Sequence, residues 1–232
     1  MTENNRKEAK ILNVLHLGKK PYEEVWKLQK SIQTSLMEGK GLETLILCEH
    51  EPVLTLGKSA KERNLLLSRH AIAQKGIKIF EVERGGDVTY HGPGQLVGYP
   101  ILDLNRHKRD VHWYMRSLEE VIILALGELP LEGLRIEGKT GVWVKCHDKT
   151  IPYSHRKIAS MGVRLSRWVS LHGFAINISD CSFGFSLINP CGFRSSEITW
   201  IEEELGRSVP LREMEALIEK YFRKVFSFDL KV

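Results

Sequence analysis

The 232-residue chain lacks any apolar run long enough to span a membrane, and its opening decapeptide, MTENNRKEAK, lacks the apolar core of a signal peptide. Both absences exclude a membrane-embedded or exported reading. They point to a soluble protein of the cytoplasm, with residues 1–10 expected to be disordered. Cysteine is scarce. Cys48, Cys146, Cys181 and Cys191 are the four, none in a C-x-x-C pair and none at zinc-ligand spacing. No structural metal is expected, and each thiol reads as reduced and partly buried until its surroundings argue otherwise. There is no H-E-x-x-H and no Ser-His-Asp order, which leaves zinc and serine hydrolases without support. Arginine-rich arms, zinc fingers and RNA-binding signatures are missing too. The net charge of +5 therefore suits an acidic partner or a merely solvated surface, and does not call for nucleic acid. Repeats, low-complexity tracts and linkers are also lacking, so residues 11–232 are read as one domain.

What is present alternates between strand and helix patterns. Strands are expected at 11–17, 45–48, 53–56, 77–83, 96–104, 142–145, 157–165 and 171–178. Tyr22, Val25, Trp26, Leu28, Ile32 and Leu36 stripe a helix that Pro21 opens and Gly39 and Gly41 end. A short helix covers 68–75. The clearest one spans 111–129, with Val111, Tyr114, Met115, Leu118, Val121, Ile122, Ala125 and Leu129 on one face. Thr199 with Glu202 fits a capping box. A last helix buries Leu211, Met214, Ile218, Tyr221, Phe222 and Val225. The sum is an α+β fold, a mixed β-sheet packed with helices.

Residues 133–140, GLRIEGKT, match the phosphate-binding pattern G-x-x-x-x-G-K-[ST]. A phosphate loop needs a helix to follow it. Here Gly141-Val142-Trp143-Val144 follows, a strand sequence. The segment is read as a turn between two strands, with a weak strand at 134–136.

Four segments carry candidate chemistry. The first is RGGDVTYHGPGQ, residues 84–95. Its glycines let a backbone approach a ligand closely, and Arg84, Thr89, Tyr90, His91 and Gln95 supply polar groups. So much glycine argues against any regular element there. The second is KIASMGVRL. Alternation sets Lys157, Ala159, Met161, Val163 and Leu165 on one side of a strand, and Ile158, Ser160, Gly162 and Arg164 on the other. Lys157 thus opens an apolar face. There, lost solvation favours a neutral, proton-accepting amine; the alternative is a strand-end lysine reaching to water. The third is INPCGF, where Pro190 and Gly192 set Cys191 on a constrained turn. The thiol becomes a nucleophile if a group such as Lys157 favours its thiolate. The fourth is LHGFAIN, where His172 is either a second base or a structural histidine beside a close-packed Gly173.

In this order, these segments resemble the lipoyl(octanoyl) transferase family. RGGDVTYHGPGQ is close to its signature, and the strand with Asp103, TGVWV at 140–144, KIASMGVR, LHGFAIN and INPCGF match as well. The resemblance runs from about the first strand to the last helix. It implies a biotin/lipoate protein ligase-like fold and transfer of an octanoyl group from acyl carrier protein. The implied acceptors are lysines on lipoyl domains of 2-oxoacid dehydrogenases and the glycine cleavage H protein, with no cofactor. It assigns Cys191 as nucleophile and Lys157 as its partner. Substrate binding falls to Arg84, Gly85, Gly86, Asp87, Val88, Thr89, Tyr90 and His91, to Ser160, Met161 and Gly162, and to Gly173, Phe174 and Ala175. The sequence departs from the family at CHDKTIPYSHR, residues 146–156, longer than the usual hairpin, and at Trp168, where a smaller residue is usual. The rivals are an ATP-dependent lipoate–protein ligase and a non-catalytic lipoyl-domain binder. The P-C-G cysteine and the lack of a C-terminal accessory domain point away from the ligase. Lys157 and Cys191 argue against the binder.

Overall fold

The computed structural model describes residues 10–146, 154–189 and 197–229. The expected disorder of the N-terminus and most of the 146–156 insertion lie outside these residues. In chain order the elements are β1 (Asn13–Lys20), α1 (Tyr22–Met37), β2 (Thr44–His50), β3 (Val53–Leu56), α2 (Arg69–Gln74), β4 (Lys78–Glu81), β5 (Val88–His91) and β6 (Gln95–Ile101). There follow α3 (Val111–Gly127), β7 (Leu134–Ile136), β8 (Lys139–Lys145), β9 (His155–Ser166), β10 (Val169–Asn177), α4 (Ser182–Phe185), α5 (Ile201–Leu205) and α6 (Leu211–Phe226).

Seven strands form a mixed sheet in the order β1-β2-β6-β10-β9-β8-β7. β1 and β2 are parallel and the other pairs antiparallel. Strand alternation sends Leu45, Leu47, Leu96, Phe174 and Ile176 to one face, beneath α3 and α6. It sends Ile46, Cys48, Val97, Tyr99 and Ala175 to the other, beneath α1. Because both faces are covered, the central strands are apolar almost throughout. β2 and β3 are neighbours in sequence but part company: β3 joins a second sheet, β4-β3-β5, with its own core around Leu54, Ile72, Tyr90 and Phe185.

GLRIEGKT is a hairpin. β7 pairs antiparallel with β8, Ile136 opposite Lys139, and Gly138 turns the chain at φ +73°. The sequence reading needs correction in four places. The glycine-rich 84–95 segment does contain a regular element: Val88–His91 is a strand paired with β3, its β-branched Val88 and Thr89 outweighing the glycines around them. The capping box at α5 does not form. Thr199 Oγ1 donates to Glu204 (2.6 Å), while Glu202 accepts from Val209 N and Ser208 Oγ. Val111 is exposed at the start of α3, while Phe226 joins Val225 on the buried side of α6. The fourth correction concerns Lys157.

Candidate active site

A cavity open to solvent lies between the α1 face of the large sheet and strand β5 of the small one. Strand β9 supplies Lys157, Ser160 and Gly162 to its wall, β10 supplies His172, Gly173 and Ala175, and β5 and the loop before it supply Gly86, Asp87, Val88, Thr89 and His91. Simple alternation would put Lys157 on the opposite side, with Ala159. The β8–β9 register shows why it does not. Val142 pairs with Ala159, but the next residue, Trp143, pairs with Lys157, so Ile158 is an extra residue in the ladder. Such a bulge flips everything beyond it. Ala159 packs in the α3/α6 core with Val142, while Lys157 shares the cavity face with Trp143, its Nζ 5.3 Å from the indole centroid.

The Lys157 stem is laid over Gly141. A β-carbon on Gly141 would stand 2.6 Å from Lys157 Cε and 2.6 Å from the Ala159 carbonyl oxygen, and its φ of +125° suits glycine alone. The amide N–H of Gly141 leaves the ladder and donates to Glu119 Oε1 at 3.2 Å. Glu119 lies on α3, buried, its second oxygen held by Arg116 (2.6 Å) and Arg135 (3.1 Å). The hairpin that mimics a phosphate loop thus ties α3 to the strand beneath the lysine.

The other expected binding residues divide by where their side chains go. Arg84 reaches the cavity wall, but its guanidinium is buried and committed to the small sheet, donating to Thr55 O (2.7 Å), Thr55 Oγ1 (3.0 Å) and Gly85 O (3.0 Å). Asp87 accepts from Asn64 Nδ2 (2.5 Å) and Val88 N (2.7 Å). Met161 and Phe174 also border the cavity, yet their side chains belong to the α3/α6 core, so they offer it backbone. Gly85 and Tyr90 do not border it. Gly85 N bonds to Val163 O (3.0 Å), and the Tyr90 ring packs on Phe185 in the small core, with Gly92 and Gly184 making room. Trp168 does not reach the cavity either. It sits with Arg167 in the β9–β10 turn, both at positive φ, and packs on the α3/α6 core. Cys191 and the turn around it lie outside the described residues. Of the described residues on either side of it, Asn189 N bonds to Asn64 O (2.8 Å), and Thr199 N bonds to Lys157 O (3.0 Å).

Sequence reasoning missed Tyr22, Val97, Tyr99, Phe185 and Ile198 as cavity residues. The signal available was a tyrosine inside a fully buried strand. Tyr99 Oη donates to His50 Nε2 (2.8 Å), whose Nδ1–H donates to Lys20 O (2.8 Å); Tyr22 stacks against His91. Burial pushes the His50 ring down to about 4 and His91 well below the usual range, so both are neutral at pH 7. His172 is buried in a left-handed conformation (φ +62°), with Gln29 Oε1 accepting its amide at 3.1 Å. Burial lowers its ring pKa, and the Glu83 carboxylate 3.7 Å away opposes this without reversing it. Burial also raises two thiols, Cys181 to about 12 and Cys48 beyond that, which keeps both protonated.

A cavity walled by glycine backbone and one sheet face, with an amine set on that face by a strand bulge, is the kind of concave, largely preformed pocket in which proteins hold small ligands. Residues 21–223 match the model of the lipoyl protein ligase A/B catalytic domain, and the chain belongs to that family. It is 42% identical to the octanoyltransferase of Christiangramia forsetii, over 96% of this chain and 98% of that one. Its fold is shared with lipoate-protein ligase A bound with ATP (TM-score 0.70, 15% identity, 94% and 87% of the two chains). It is shared too with a bi-partite lipoate protein ligase from Thermoplasma acidophilum solved in a study of that ligase and its E2 lipoyl domain (TM-score 0.71, 16% identity, 95% and 86%). Among the described residues no helix is long and apolar enough to cross a membrane, and no group of His, Cys, Asp and Glu could hold a metal ion.

Proposed function

We propose that this acyltransferase moves an octanoyl group from the thioester of acyl carrier protein to Cys191, and from Cys191 to a lysine on lipoyl domains of 2-oxoacid dehydrogenases and the glycine cleavage H protein, in the cytoplasm. The observation that carries the reading is the placement of Lys157. Its amine shares the cavity face, and its backbone holds Thr199 of the chain that follows Cys191. On the other side of that turn, Asn189 N bonds to Asn64 O (2.8 Å), whose side chain reaches Asp87 in the cavity wall.

Lys157 in its neutral form takes the proton of the Cys191 thiol. The thiolate attacks the donor carbonyl, and the tetrahedral oxyanion collapses as the donor's thiolate leaves, taking the proton from Lys157. One thioester has replaced another, so this half-reaction is nearly balanced. The acceptor amine then attacks, the amide forms, and the amine proton returns to the departing Cys191. Amide formation from a thioester runs downhill, so no nucleotide is needed. Val97, Ala175 and the Tyr22 and Tyr99 rings offer the alkyl chain an apolar wall, at about 0.8 kcal/mol for each buried methylene. Incubation with octanoyl carrier protein and no ATP should leave a C8 adduct on Cys191 in the mass spectrum. Full turnover by Cys191→Ser, or activity that needs free octanoate and ATP, would sink the reading.

A further inference from the structure

The segment that follows β3 of the small sheet, beside the cavity, has a chemistry that the site itself does not use. We propose that residues 58–67, with Phe183 of α4, form the docking surface for the acidic carrier protein that delivers the acyl donor. The inference rests on the donor chemistry proposed above.

Position comes first. Backbone bonds run from Lys58 N to Arg84 O (3.0 Å) and from Ser59 N to Gly86 O (3.0 Å), and the Asn64 side chain reaches Asp87. The segment is therefore built onto the cavity rim. Charge comes second. Lys58, Lys61 and Arg63 are exposed, and no carboxylate pairs with them among the described residues. The one acid between them, Glu62, is taken by Arg69 in two bonds of 3.0 Å. Third, Leu66, Leu67 and Phe183 are 56%, 37% and 57% exposed, three of the six large apolar side chains left in solvent among the described residues. Leu66 is bonded through its amide to Leu187 O, and Phe183 precedes buried Phe185, so both flank the same small core. Exposed apolar side chains in the same segment as cations without a carboxylate partner fit an acidic, partly apolar protein surface.

The occupant is the donor rather than the acceptor because of reach. None of these residues lines the cavity. A carrier bears its thioester on a long prosthetic arm and can dock to one side. An acceptor must bring a single lysine side chain directly to the acyl-enzyme.

The test separates the half-reactions. Lys61→Glu/Arg63→Glu and, separately, Leu66→Ser are acylated with octanoyl carrier protein and with octanoyl-pantetheine. The expected result is a loss of about tenfold or more in kcat/KM for the carrier-borne donor. Its salt dependence flattens, the small thioester reacts at the wild-type rate, and transfer from preformed acyl-enzyme to a lipoyl domain is unchanged. Equal losses with both donors would make the segment structural and overturn the proposal, as would a loss confined to the acceptor step, or no loss at all. Failure of the wild type to be acylated by either donor would overturn the site reading itself, and the docking inference with it.

Discussion

Gly141→Ala tests whether the lysine works because of where the strand bulge puts it. The added methyl group would overlap the Ala159 carbonyl oxygen and Lys157 Cε, both at 2.6 Å, and stand 3.2 Å from Lys157 Nζ. The carbonyl belongs to a ladder and yields little, so the lysine stem is what moves, by roughly 1 Å, a displacement that can lower a rate about 100-fold. Stability falls as well. Backbone strain at φ +125° and overpacking each contribute about 1–3 kcal/mol. At roughly 2–4 °C per kcal/mol for a chain of this size, the melting temperature should drop by about 10 °C. Gly138→Ala is the control. It strains the same hairpin at φ +73°, but its added methyl meets open space. Acylation of Cys191 is timed by quenched-flow mass spectrometry at a temperature where both variants are folded. Gly138→Ala should lose stability and keep its rate; Gly141→Ala should lose both. Rates within twofold of each other would refute the positioning argument.

Other outcomes follow from the same geometry. Glu119→Gln can still accept from Gly141 N–H, but its NH2 then faces the Arg116 and Arg135 guanidiniums, so it should lose stability yet keep more activity than Glu119→Ala, which should fall with Gly141→Ala; equal activity losses would show that the bond to Gly141 does not carry the effect. The His50 ring is neutral when folded, with its pKa lowered from 6.5 to about 4. The unfolded chain therefore binds the proton first as pH falls. The stabilisation is complete above pH 6.5 and is lost towards pH 4, about 3 kcal/mol in all. Urea melts of His50→Gln should show a shallower loss across that window than the wild type. Arg167→Asn should raise the melting temperature slightly, because both central residues of the β9–β10 turn have positive φ, which asparagine tolerates better than arginine. Gly98→Ala should weaken the fold by about 1–3 kcal/mol, since its methyl would enter the Phe174 ring.

Much of this protein is determined by local sequence. Period-two alternation in LILC and the strands after it settles which residues face which core, because side chains on a strand must alternate whatever lies above them. Gly138 followed by a β-branched run is enough to refuse GLRIEGKT a phosphate-loop role. The residue types of the site, with Lys157 and the glycines of 84–95 and 160–175, are legible for the same reason: their chemistry is written in the side chain. What only the tertiary structure decides is their direction. The bulge at Ile158 exists through the pairing of β9 with β8, so no reading of β9 alone turns Lys157 to the cavity. Tyr90 and His91 are adjacent, yet one fills the small core and the other the cavity, because β5 sits between them. Tyr22, Tyr99 and the Glu119–Gly141 bond bring together residues tens of positions apart. Burial and contact between distant segments are properties of the packed chain, and no window of sequence contains them.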